Sequence, residues 1–370
     1  MGLLLGKTGL APLEQQHSLT NVITPHIRSI EETLRSEHLS RDPESFGEHL
    51  SSSVAAIAYL SKGFNKAPIE VQVVLAETVS ITLAVLEALP GNDRVRAKIM
   101  ILLQRMIQCI GANVLPTMPR FLQLLIGHST TQDIQDVAQL FNQLCIKFKE
   151  EAISSIDPNV LPFLNKCHQL VPSDDEVVNN GDLPPHLRTE QLSVKKLTFT
   201  VLQHIVTYRV SSVLLSPTNA GSLEHVLQTM SDSAIHVDDA IMKKACITFF
   251  RELVDQWVNN GSNSSDTFSA FVRFVLEILV PGMVRCLLSP SFNENDALQA
   301  RNVSKFANIL FILKSRQGSE KFEQYVVCAS LASAGCPPHV LEAFRQASNL
   351  PEMELCLKET MKVLKQKRPG

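Results

Sequence analysis

The chain has 370 residues, 45% of them apolar, and a formal net charge of −3 from 34 Lys and Arg against 37 Asp and Glu. That balance excludes a histone-like or tail-type basic nucleic-acid binder, and it excludes intrinsic disorder, which requires low hydropathy and high net charge. With 15 Gly, 3 Tyr and 1 Trp there are too few turn glycines and strand aromatics for a β-sandwich or barrel, so composition describes a helical, near-neutral chain with ample core-forming residues.

The opening run Met1-Gly2-Leu3-Leu4-Leu5-Gly6-Lys7-Thr8 has no charged leader and reads as the tail of a helix, as though the chain began in mid-element. Gly6-Lys7-Thr8 has the close of a phosphate-binding loop, but the motif needs a glycine where Met1 stands. From there apolar spacing near 3.6 predicts helices over about 14–38, 45–62, 68–89, 93–110, 114–127, 133–148, 158–170, 187–214, 222–230, 238–258, 265–287, 296–315, 320–333, 339–347 and 353–366. Within 133–148, Ile134, Val137, Leu140, Phe141, Leu144 and Cys145 follow i, i+3, i+4 spacing. Asp93, Asp133 and Asp296 stand where N-caps belong, and the pair Asp238-Asp239 precedes another helix start. The most apolar stretch, 71–89, is broken by Glu77 and Glu87, so no membrane insertion is expected and the chain is read as intracellular.

Two recurrences point to a repeat architecture. Asn113-Val114-Leu115-Pro116 returns 46 residues later as Asn159-Val160-Leu161-Pro162, each read as opening a short helix after a longer one. Val22-Ile23-Thr24-Pro25 and Leu279-Val280-Pro281 read as further proline-marked helix starts, where a missing N–H costs nothing. Paired helices at a period of about 40–47 residues are the signature of HEAT or armadillo solenoids. The fold class expected is therefore all-α, a HEAT-repeat α-solenoid of antiparallel helix pairs, forming one region over 1–370. Residues 173–186, with four acids, no Lys or Arg and a double proline, form an acidic loop between repeats.

No catalytic constellation emerges. HExxH, GxSxG, GxGxxG and CxxC motifs do not occur, and most of the eight cysteines sit in apolar helical stretches and read as buried free thiols. Cys167-His168 are neighbours on a helix and point about 100° apart, so neither serves the other. No cofactor, metal or catalytic residue is expected, and the chain is not read as an enzyme. Basic positions carry more. Arg94, Lys98 and Arg105 fall within about 40° of one another on a helix, opposite Ile99, Met106 and Ile110. Lys147 with Lys149, Lys195 with Lys196, Lys243 with Lys244, and Arg301 with Lys305 add further pairs. A second stripe, Lys358, Lys362 and Lys365, lies on the last helix. Brought onto one surface, the first eleven would form a track for RNA phosphates.

Several segments together are similar in order and spacing to a known family. They are Lys62-Gly63-Phe64-Asn65-Lys66, Val114-Leu115-Pro116 with Pro119, Lys147-Phe148-Lys149, Lys196-Leu197-Thr198-Phe199, Lys244-Ala245-Cys246-Ile247, Leu253-Val254-Asp255-Gln256-Trp257, Phe271-Val272-Arg273-Phe274-Val275 and Phe322-Glu323-Gln324-Tyr325, with Ile23-Thr24-Pro25 leading into a helix. Over nearly its whole length the chain resembles the C-terminal half of the exportin-T family, tRNA export receptors of the karyopherin-β superfamily. The resemblance implies a HEAT superhelix, mature tRNA and the GTP form of the small GTPase Ran as cooperative partners, passage through nuclear pore proteins, release after GTP hydrolysis, and shuttling between nucleus and cytoplasm as a monomer. Set against the resemblance, the family's N-terminal repeats, which supply the main Ran surface, are absent from these 370 residues. A HEAT scaffold or a karyopherin for protein cargo is the alternative.

Overall fold

A computed structural model describes residues 2–7, 9–171, 185–258, 266–289, 292–293 and 296–366; residues 173–184 of the acidic segment lie outside it. Among the described residues every regular element is helical. Two compact units are formed, one from 1–198 with 212–220 and the other from 199–211 with 221–370.

The first unit contains α1 (Pro12–Leu34), α2 (Pro43–Ser61), α3 (Ile69–Ala88), α4 (Asp93–Cys109), α5 (Met118–Gly127), α6 (Asp133–Phe148), α7 (Ile153–Leu170) and the start of α8 (Pro185–Thr207). Consecutive helices pair, and alternate ones stack: α2, α4 and α6 in one layer, α1, α3, α5 and α7 in the other. The second unit repeats the scheme with α9 (Leu223–His236), α10 (Ala240–Val258), α11 (Asp266–Phe274), α12 (Val280–Leu287), α13 (Ala297–Gln317), α14 (Pro338–Gln346) and α15 (Leu350–Gln366). Here α10, α13 and α15 form one layer. The other is α9, α12, a π-helical stretch at Phe322–Ala332 and α14. Two layers of alternating antiparallel helices are the HEAT-type solenoid the sequence predicts.

α3 shows why the layers form. Among the described helices it is the one long and apolar enough to cross a bilayer. Its Val71, Val74, Leu75, Thr78, Val79, Val85 and Leu86 are instead buried against α1, α4 and α5. A helix apolar nearly all round needs neighbours on several sides, which a stacked double layer supplies.

The capping expectation holds at Asp296, which accepts from the N–H groups of Leu298 and Gln299 at 2.9 Å, and at Asp239, which accepts from Ile241 and Met242. It is corrected at Asp93 and Asp133. Asn92 caps α4, accepting from the Val95 N–H at 3.1 Å, and both aspartates bind Arg96 instead. That guanidinium is 4% exposed and donates to Asp93 (2.6 Å), Asp133 (2.7 Å) and the Pro90 carbonyl (3.1 Å), tying α4 to α6. Burial alone would raise the Asp133 pKa; the Thr130 N–H and Arg96 outweigh it and hold the carboxyl below its ordinary value.

The prolines differ from expectation in an informative way. Pro25 lies inside α1 and opens nothing. Asn113-Val114-Leu115-Pro116 forms a 3₁₀ turn (Gly111–Thr117) leading into α5, whereas Asn159-Val160-Leu161-Pro162 lies within α7, which begins earlier, at Ile153. The two copies nonetheless meet, because α5 and α7 are stacked in one layer. The Leu115 carbonyl, to which Pro119 has no N–H to offer, accepts the Ser155 hydroxyl at 2.9 Å, and the Pro119 carbonyl accepts the Asn159 amide at 3.0 Å. Asn219, 1% exposed, then bridges one rung of α7 beside Pro158 and Pro162. It takes the Leu161 N–H at 3.2 Å and donates to the Asp157 carbonyl at 2.9 Å. In the second unit Gln256 does the same for the end of α8, donating to the Val206 carbonyl (2.6 Å) while accepting from Ser211 (2.8 Å). α8 ends at Thr207, short of the expected 214, where Arg209 adopts φ +66°.

Replacing Asn219 by Ala leaves buried main-chain groups of α7 without their partner, and should cost about 2 kcal/mol in urea unfolding. A change below a few tenths of a kcal/mol would mean that water or a shifted helix takes over both bonds.

Candidate nucleic-acid interface

The basic positions separate into two groups, one in each unit. In the second, the Asp239 cap sets the start of α10 and so fixes where its consecutive lysines point. Adjacent helical residues diverge by about 100°. Lys243 accordingly turns inward, 9% exposed, and donates to the Cys286 Sγ at 3.2 Å. Lys244 is half-buried at the surface. Across the same layer, Arg301 and Lys305 sit one turn apart on α13. The Lys305 ammonium reaches over to α10 and donates to the Thr248 hydroxyl, which itself donates to the Lys244 carbonyl at 2.6 Å. Arg251, two turns beyond Lys244 on α10, completes the group.

Burial, followed by the charges of Lys244, Arg251 and Arg301, pushes Lys305 down from the ordinary lysine value of 10.5 to about 8. Counter-charge is sparse. Glu252 pairs with Arg251 beside it on α10. From α15, Glu354 is engaged by Lys358 at 2.7 Å and by Ser304. Four cations against one paired carboxylate form a site short of negative charge, suited to phosphate oxygens.

In the first unit, Lys98 and Arg105 line a groove of about 260 Å³ between α2 and α4, together with Ala55, Ala58, Tyr59, Lys62 and Ile101. Lys147 on α6 approaches the same region: burial pushes the Cys109 thiol up to about 11, against the opposing pull of Arg105 and Lys147. Arg94 is drawn off by Glu48 at 3.4 Å. Lys149 ends α6 at φ +50°, exposed. Lys195 is exposed and Lys196 half-buried on α8. Two members of the last-helix stripe are engaged in structure, Lys358 with Glu354 and Lys365 with the Phe292 carbonyl at 2.7 Å, while Lys362 is exposed.

The structure thus brings together Lys98 and Arg105 in one unit and Lys244, Arg301 and Lys305 in the other. Arg251, Lys62 and Tyr59 join them and were not singled out from the sequence as site residues. Arg251 follows Lys244 by seven residues, a same-face spacing that could have found it. Lys62 lies in a segment matched only as a family motif.

The described helices thus define a double-layered HEAT-type solenoid with a basic group in each of its two units. The family model for Exportin-T matches residues 1–364. Exportin-T of Oryza sativa subsp. japonica is 27% identical over 359 residues, and Exportin-T of Homo sapiens is 25% identical over 364; these cover 94% and 96% of this chain and 36% of each relative. Exportin-T of Arabidopsis thaliana is 24% identical over 356 residues. The chain belongs to the Exportin-T family, and it spans about a third of the length of these curated relatives.

Lys305 also makes the cluster visible in stability. Its folded pKa of about 8 lies below the unfolded value, so between about pH 8 and 10.5 the unfolded chain holds the extra proton and stability rises with pH. Lys305→Met should raise the melting midpoint by a few degrees at pH 7, and by clearly less at pH 9.5, where wild type has already shed the charge. An equal gain at both pH values would remove the charge repulsion as its cause.

Proposed function

We propose that this chain is the cargo-holding part of a nuclear export receptor for tRNA. It grips mature tRNA through the sugar–phosphate backbone, cooperatively with Ran in its GTP form, and yields it in the cytoplasm after GTP hydrolysis. The observation that carries this reading is the Lys244, Arg251, Arg301 and Lys305 cluster. A half-buried ammonium held among three other cations is costly until an anion arrives, and a phosphate backbone brings anions at regular spacing. A-form RNA suits such a site. Its deep, narrow major groove keeps side chains from the base edges, so recognition falls on phosphates, 2′-hydroxyls and shape.

Family membership supports the export role, and with it the partners expected of such a receptor: Ran, nuclear pore proteins, and shuttling between nucleus and cytoplasm. The near-neutral net charge fits as well. Without the four acids of 173–186 the two signs balance to within one charge, so indiscriminate binding to nucleic acid is disfavoured while local clusters stay basic.

The test is tRNA binding across a salt series, with the chain joined to the preceding repeats and saturated with Ran-GTP. Arg301→Glu combined with Lys305→Glu should weaken tRNA binding at least about tenfold and make the log–log salt slope shallower by about two phosphate contacts. Unchanged affinity and slope would remove the cluster from the interface, and no tRNA binding by wild type at low salt would overturn the reading.

A further inference from the structure

The groove between α2 and α4 differs in kind from the α10–α13 cluster. Its cations, Lys62, Lys98 and Arg105, surround an aromatic face: Tyr59 is 73% exposed, with Ile101 (48% exposed) opposite and Ala55 and Ala58 as a shallow floor. Tyr59 lies in the last turn of α2 and Lys62 caps its end, and Lys98, Ile101 and Arg105 follow one another at three- and four-residue steps along α4, so each wall presents a single face to the gap. No carboxylate lines the groove, and among the described residues none is ion-paired with Lys62, Lys98 or Arg105. At about 260 Å³ it is smaller than a typical drug-sized pocket and far too small to admit a duplex.

We infer that this groove holds one unpaired nucleotide of a bound RNA, its base stacked on the Tyr59 ring and its flanking phosphates on Lys62, Lys98 and Arg105. The inference rests on the RNA-binding reading and adds a place where an unstacked base is taken up. An exposed aromatic ring among cations is the composition of a single-strand site: the π-face takes any base and the charges follow the backbone. Charge complementarity selects the occupant. The α4 wall is helical, with its main-chain groups spent on i→i−4 bonds, and at the C-terminal end of α2 the Tyr59 and Ser61 carbonyls already accept the Lys62 and Phe64 N–H groups, so an extended peptide would find few main-chain partners. A nucleotide needs none, because it brings its own anionic oxygens and its own aromatic surface.

The experiment is fluorescence anisotropy with the 370-residue chain and three probes: a five-nucleotide single-stranded oligouridylate, a blunt A-form RNA duplex and inorganic polyphosphate. Tyr59→Ala should weaken oligouridylate binding about tenfold, the lower range for loss of one stacked base, and leave duplex and polyphosphate within about twofold. Tyr59→Phe, which keeps the ring, should bind the oligonucleotide within about twofold of wild type. Since Tyr59 is exposed, the melting midpoint should not move. Loss of oligouridylate and polyphosphate binding by equal factors, or no loss on either, overturns the stacked base. So does displacement of the oligonucleotide by an acidic, aromatic-containing peptide whose own binding needs Tyr59, which would mark a protein-docking groove. If tRNA binding still responds to Arg301→Glu with Lys305→Glu while oligouridylate ignores Tyr59, only this inference fails. If wild type binds neither tRNA nor oligouridylate, the RNA reading fails with it.

Discussion

The arrangement of the first unit depends on a main-chain problem solved by side chains. Pro119 has no N–H to give the Leu115 carbonyl, which keeps that of Met118, and Pro158 and Pro162 remove two rungs from the ladder of α7. Ser155 and Asn159 supply α5 from α7, and Asn219 supplies α7 from a segment some sixty residues on. These bonds set the rotation of α7 about its axis, since a hydroxyl or carboxamide reaches a given carbonyl from one angle only. Apolar burial drives the layers together without direction; the proline-linked bonds give them register. In the neighbouring layer Arg96 has the corresponding role, holding α4 to α6 through two carboxylates and a carbonyl.

Much of this is legible in the sequence. Helical periodicity is strong wherever one face is apolar, so the ends of α6 and α10 fall where spacing puts them. The failures have a common source. A proline is locally ambiguous: it can start a helix or sit inside one whose freed groups are satisfied elsewhere. Pro25 and Pro162 both sit inside helices, and Asn219, which bonds the Leu161 N–H and the Asp157 carbonyl beside Pro162, is remote in sequence. Charge pairs are ambiguous in the same way. Lys243 and Lys244 are equal as letters, and only the cap at Asp239 determines that one meets Cys286 and the other the surface. Arg94 shares a stripe with Lys98 and Arg105, yet Glu48, on a different helix, takes it out. Tyr59 carries no periodic signal at all, because an exposed aromatic on an otherwise ordinary helix face becomes notable only once the facing helix is known to bring cations.

The two basic groups illustrate different relations between folding and binding. Around Lys305 the folded state bears a repulsion that a bound anion would relieve, so in the proposed reading stability is traded for affinity at the same atoms. In the α2–α4 groove Tyr59 is exposed and contributes little to packing, so that position can change with small effect on the fold. One region is constrained by electrostatics inside the layer, the other by what its surface offers.

The π-helical stretches at Val275–Leu279 and Phe322–Ala332 have a further meaning. Each winds wider than an α-helix and so absorbs surplus residues without a bulging loop; the Ser330 and Ser333 hydroxyls bond carbonyls five residues back, in keeping with that wider turn. Such a stretch works as a phase adjuster. Apolar faces before and after it stay aimed at the core although the residue count between them no longer matches a plain α-helical repeat. Insertions and deletions that would rotate a rigid rod out of its layer can be taken up inside the helix. Repeat units of unequal length can therefore remain stacked in one continuous double layer, even among relatives that keep only about a quarter of their residues in common.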